Sequence, residues 1–184
     1  MPNSDINKVS LSELLWNLKG AKDFFKGFDE PNIVRNHIIP VLYFKRISDV
    51  FDEEYQNVLD REGKSMASLK DFYETFIPEN CRWEDILKDE DNLYENLKNA
   101  LGQIEQANPH LEGIFSIMRW HYSDEYGYSR ILRRLMAHIS KYNLSKSNIS
   151  DTELSLVIIE LDKRSTFIGE NIMYDNILLN LLSH

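Results

Sequence analysis

Cysteine is nearly absent from this chain. Cys81 stands alone among 184 residues, so no intrachain disulfide can form, and nothing resembles a zinc-ligand cluster. Glycine and proline are also scarce, at seven and five residues. The glycines (Gly20, Gly27, Gly63, Gly102, Gly113, Gly127 and Gly169) lie too far apart for a phosphate-cradling or dinucleotide loop, which needs them clustered. The five histidines form no His-Glu-x-x-His pair, and no Gly-x-Ser-x-Gly elbow is present. No window approaches the roughly 18 uninterrupted apolar residues of a membrane span. The opening Met1-Pro2-Asn3-Ser4-Asp5 has neither the basic start nor the apolar run of a secretory signal, so a reducing, cytoplasmic compartment is expected.

Two small groups of reactive residue types read as structural. Arg82 beside Cys81 could lower a thiol pKa, but a lone cysteine without a placed base is not a catalytic signature. Glu84, Asp85, Asp89, Glu90 and Asp91 fit no calcium-loop spacing, and a solvated helix start accounts for them. No catalytic or metal residues are assigned, and a self-contained enzyme is disfavoured.

What the chain does have is a core and an uneven charge. Apolar residues make up 42% and charged residues 28%, which suits one globular domain with at most a small appendage. The net charge of −9 is concentrated in residues 51–112, which hold 6 basic and 16 acidic side chains, whereas residues 113–150 hold 6 and 2. A DNA contact should therefore be local and lie outside 51–112, since like charge repels phosphate.

Helical periodicity dominates. Ser10-Leu11-Ser12-Glu13 is a capping box that starts a helix with Leu11, Leu14, Leu15 and Leu18 on one side and Gly20 as a stop. A second helix begins near Asp29-Glu30-Pro31 and runs to Gly63, with a kink or break expected at Pro40. Residues 65–90 allow a short strand around Phe72 to Ile77. A helix from about Asp91 stops before Asn108-Pro109, and residues 119–130 read as a loop. From Ser129 to Tyr142 the pattern is sharply two-faced. Ile131, Leu132, Leu135, Met136, Ile139 and Tyr142 share one half of the helical wheel, while Arg130, Arg133, Arg134, His138 and Lys141 share the other. Ser150 to Glu153 is another capping box, and a last apolar stretch runs from Ile172 to Leu182, whose face of Ile172, Met173, Ile177, Leu178, Leu181 and Leu182 is expected to pack internally. The fold class is mainly α, a helical bundle-like domain with at most one small β element, divided into residues 1–150 and a C-terminal helical extension, 151–184.

Several stretches, in order, resemble the N-terminal helical region of the modification (M) subunit of type I restriction-modification systems, which are adenine-specific DNA methyltransferases. They are Leu15-Trp16-Asn17 with Gly20, and the run from Asn32 to Asp49, with Pro40 inside it and Phe44-Lys45-Arg46-Ile47-Ser48-Asp49 at its end. Phe76 to Glu79 with Arg82-Trp83 follows, then Asn96 to Phe115 with Glu105, Asn108-Pro109 and Leu111. The similarity covers about residues 11–142. It implies a module that helps M subunits embrace DNA and contact each other and the specificity subunit. Family members bind S-adenosylmethionine through a glycine-containing loop and hold a flipped adenine with an Asn-Pro-Pro-aromatic motif in a downstream catalytic domain. This chain has neither motif, nor the Gly-x-x-Tyr-Glu-Tyr-Leu pattern expected after about Asn143. It is expected to be an expressed fragment or a shortened gene product, with no cofactor of its own and no activity alone.

The resemblance directs attention to three groups. Arg130, Arg133, Arg134, His138 and Lys141 form either a phosphate-contacting stripe or a merely solvated helix face. Lys45 and Arg46 either face DNA or lay their stems along an apolar helix. Trp120, Tyr122, Tyr126 and Tyr128, interleaved with Arg119 and His121, suit an interface or a loop folded on its own core. The competing function is a stand-alone protein-interaction module, a truncated remnant without DNA binding.

Overall fold

A computed structural model describes residues 8–27, 32–115, 118, 127–163 and 172–182, and among these there is no β-strand. The chain is an assembly of helices on one apolar core. Helix α1 (Leu11–Ala21) starts at Ser10, whose hydroxyl accepts from the Glu13 amide, and a 3₁₀ turn (Lys22–Phe25) follows it. A wide π turn (Val34–Ile38) leads directly into α2 (Ile39–Glu62), so Pro40 sits in the first turn of the α-helix. There its missing amide costs little. The expected interruption at Pro40 therefore takes the form of a change in winding just before it. Gly63, at φ +83°, ends α2 where a side chain would be strained.

Past Gly63 come α3 (Lys64–Ala67), a 3₁₀ turn (Lys70–Phe72) and α4 (Trp83–Leu87). The stretch from Phe72 to Ile77 is irregular rather than a strand. Asn108 holds it in place: the Asn108 carboxamide accepts from the Phe76 amide (2.8 Å) and donates to the Phe76 carbonyl (2.7 Å), just after α5 (Leu93–Ala107). Helix α6 is Tyr128–Ile139, α7 is Asp151–Asp162 and α8 is Ile172–Leu182. The capping box at Ser150 closes in both directions, Glu153 amide to Ser150 hydroxyl and Ser150 amide to Glu153 carboxylate.

Helix α2 is the spine. Every residue from Ile39 to Ser48 is buried, because the other helices pack around the whole circumference of its first half. On one side Trp83 is fully buried, its amide donating to the Ser48 hydroxyl and its indole N–H to that of Ser140. Helix α7 lies against α1, and Leu154, Val157, Ile158 and Leu161 belong to the same core as Leu14 and Leu18. A boundary at residue 150 thus falls at the cap of a helix inside the core. From α8, Ile177 and Leu181 are buried as expected, whereas Leu182, expected on the same packed face, is 56% exposed at the end of the helix. No described helix is long and apolar enough to cross a membrane.

Candidate nucleic-acid interface

The apolar half of α6 is what positions its basic half. Ile131, Leu132, Leu135, Met136 and Ile139 are buried, so the helix is fixed in rotation and the opposite residues are turned outward. The five predicted residues of this stripe do not behave alike. Arg130, Arg134 and Lys141 are exposed and make no ion pair among the described residues. The Arg134 guanidinium lies 4.5 Å from the Phe24 ring centroid, a cation–π contact that holds it at the surface without neutralising it.

Arg133 is turned aside. It bridges Glu90 of the α4–α5 connection at 3.6 Å and donates to the Glu90 carbonyl. His138 is half-buried, its Nε2 3.0 Å from the Asn17 carbonyl and its ring edge-on to Phe24 at 5.3 Å. Tyr142 is also tied to α1, with the Asn17 carboxamide donating to its hydroxyl. Asn17, Phe24, His138 and Tyr142 therefore form the seam between α1 and α6, beside which the three unpaired cations project.

Two other predicted DNA residues are corrected by burial. Lys45 and Arg46 are 5% and 2% exposed. Lys45 Nζ donates to both oxygens of Asp49 at 2.5 and 2.6 Å, and Asp49 also accepts from the Leu144 amide at 2.7 Å. The Arg46 guanidinium donates to the Leu144 carbonyl, to that of Ile149 (2.8 Å) and to Asp151 (2.8 Å). Both cations tie the 143–151 segment to α2, where neither can reach a phosphate.

Of the four predicted interface aromatics, Trp120, Tyr122 and Tyr126 lie outside the described residues. Tyr128 is 1% exposed and belongs to the core. Its hydroxyl is 2.6 Å from His37 Nδ1 and its ring meets Tyr94 edge-on, so it cannot present itself to a partner.

Sequence reasoning missed Trp16. It is 78% exposed on the outer face of α1, and its place among Leu14, Leu15 and Leu18 gives no sign of that exposure. It also missed the bidentate Arg35–Asp162 pair, 2.6 Å at both contacts. No local signal marks a pair separated by more than a hundred residues.

A comparison with curated proteins finds no match. The family model of the HsdM N-terminal domain matches residues 13–158, from the first turn of α1 to the middle of α7. The chain belongs to this family. HsdM is the M subunit of type I restriction-modification systems, so the resemblance read from the sequence is established over most of the chain.

Among the described residues of this HsdM N-terminal domain, no glycine lines the clefts that include Tyr43, Tyr55, Tyr142 or Asn99, and a Cβ added at Gly20, Gly27, Gly63, Gly102 or Gly127 would face open space. Burial, then the nearby Asp85 charge, pushes the Cys81 thiol up, away from the reactive thiolate. Among the described residues no group of three His, Cys, Asp or Glu side chains could hold a metal ion. The acidic residues near α4 are engaged locally, Asp85 with Lys88 and Asp89 with Asn92 and Asn96.

Proposed function

We propose that this chain is a non-catalytic N-terminal part of a type I adenine-specific M subunit, contributing contact with the DNA backbone and assembly with the specificity subunit and a second M subunit. One observation carries the DNA reading. Arg130 and Arg134 on α6 and Lys141 just past its end are exposed and, among the described residues, have no anionic partner, in a protein whose acidic side chains are concentrated elsewhere. Cations so placed can meet phosphates in register along a duplex, which fixes position without reading sequence. S-adenosylmethionine and the flipped adenine belong, on this reading, to other parts of the enzyme.

The test is fluorescence anisotropy with a duplex of arbitrary sequence. Three phosphate contacts release counterions with a slope of about −2.7 in log K against log salt, so binding should weaken about 40-fold between 50 and 200 mM salt. Replacing Arg130, Arg134 and Lys141 by Ala should abolish that dependence, whereas Arg133→Ala should leave most of it. Absence of binding at low salt removes the reading.

A second reading, a protein-interaction module without DNA binding, is favoured by Trp16. A tryptophan at 78% exposure is unusual unless something covers it, and tryptophan is enriched where binding energy concentrates. Co-purification with a specificity subunit that is lost in Trp16→Ser, together with no DNA affinity, would select it.

A further inference from the structure

Arg130 is one turn from both Arg133 and Arg134 on α6, so the three guanidiniums start from neighbouring positions. Arg130, Arg134 and Lys141 have no anionic partner among the described residues, whereas Arg133 is held by Glu90. Glu90 binds it twice, with a carboxylate oxygen 3.6 Å from Nη1 and with its main-chain carbonyl, which accepts from Nη2. We propose that Glu90 stands in for a DNA phosphate and holds Arg133 back from the duplex, an autoinhibitory contact that rests on the DNA reading above.

Three properties make this pair a restraint that a phosphate can replace rather than a permanent tie. The first is exposure. The Arg133 and Glu90 side chains are 42% and 65% exposed, so neither ion has been stripped of water and their attraction is weak. A permanent tie looks different here: Lys45 and Asp49, 6% and 12% exposed, meet at 2.5 Å. The second is fit. A guanidinium grips an oxyanion best through two parallel N–H bonds, and Glu90 does not supply them. The Nε–H of Arg133 is shielded from water and has no acceptor. Swung outward, the same side chain can offer Nε and Nη2 together to one phosphate. The third is independence. The Glu90 carboxylate makes no other hydrogen bond or ion pair among the described residues, so its release from Arg133 breaks nothing else. The neighbouring Asp89, by contrast, is engaged by Asn92 and Asn96.

The test repeats the salt titration of DNA binding with the full chain. Glu90→Gln keeps the main-chain carbonyl and the size of the side chain and removes the charge. One more phosphate contact takes the slope from about −2.7 to about −3.6, so binding should weaken about 150-fold between 50 and 200 mM salt instead of about 40-fold. Adding Arg133→Ala to Glu90→Gln should restore the parent's slope. Asp91→Asn removes the same charge one residue away, from an exposed side chain with no ion pair among the described residues, and should leave the slope unchanged. Far-UV circular dichroism of every variant should match the parent, because no altered side chain is buried.

An unchanged slope in Glu90→Gln overturns the proposal while leaving the DNA reading intact. A slope steepened equally by Asp91→Asn, or one that stays steep after Arg133→Ala is added, overturns it too, since the effect is then one of overall charge. Binding by Glu90→Gln but not by the parent supports it as a stronger form of the same restraint. Absence of binding by both at low salt defeats the DNA reading, and the proposal with it.

Discussion

Replacing Arg46 with methionine separates a buried strut from a DNA ligand. The guanidinium is 2% exposed and serves three acceptors, the carbonyls of Leu144 and Ile149 and the carboxylate of Asp151. Methionine fills much of the same space but donates nothing. Each carbonyl left without a donor costs about 1–3 kcal/mol. Asp151 is one-quarter exposed and can turn to water, so its lost ion pair adds no more than about 1 kcal/mol. The total is about 4 kcal/mol, and with a urea m-value of about 2 kcal/mol/M the unfolding midpoint should fall by about 2 M. Arg134→Met, on the exposed side of α6, should move the midpoint by less than about 0.3 M, because surface changes stay within about 0.5 kcal/mol. Urea titration followed by far-UV circular dichroism gives both numbers. Under conditions where the Arg46→Met protein is folded, its DNA affinity should equal the parent's. An unmoved midpoint with a weakened DNA complex would refute the assignment of Arg46 as an internal tie.

Three further outcomes are expected. Desolvation, only partly offset by Lys146, raises the Glu54 carboxyl above its ordinary 4.5. Its ionisation therefore opposes folding once the pH exceeds the raised value and has no effect below the unfolded one. Glu54→Gln should accordingly raise Tm at pH 7 and lose that advantage by pH 4. Trp16→Ser should leave the urea midpoint unchanged, because a 78% exposed side chain contributes little packing, and should quench the red-shifted part of the emission. S-adenosylmethionine at millimolar concentration should not shift Tm, and a saturable rise would show that these residues do build a cofactor site.

Local rules located the helices and long-range pairing decided which side chains were available. Ser10 and Ser150 each sit at the start of a real helix, and the two-faced pattern at residues 129–142 gave α6 to within a few residues, because capping and amphipathicity act over a single turn. The stretches carrying the resemblance prove to be structural ties. Glu105 accepts from the Phe115 amide and Asn108 clamps Phe76, which explains why that order of residues identifies the family without identifying a site. Lys45 and Arg46 read as surface cations because their neighbourhood is apolar on α2 alone. The Arg46 partners lie 98 to 105 residues further along the chain and leave no periodic trace. Arg133 shares the polar half of the wheel with Arg134 and differs from it only through its partner Glu90, 43 residues away. Tyr128 looked like part of an aromatic loop, and only the position of His37 on the π turn shows it to be interior.

The π turn has a bearing on how this family tolerates insertions and deletions. From Val34 to Ile38 the backbone takes one residue more than an α-helical turn, with the Ile39 amide bonded to the Val34 carbonyl. Removing one residue there would let the winding relax to an uninterrupted α-helix. Everything upstream would then swing by about 100° relative to α2. Arg35 would leave Asp162 and His37 would leave Tyr128, breaking the attachments to α7 and α6 in one step. Homologues one residue shorter in this segment should therefore also have changed the residues that match Asp162 and Tyr128, a covariation that a sequence alignment can reveal.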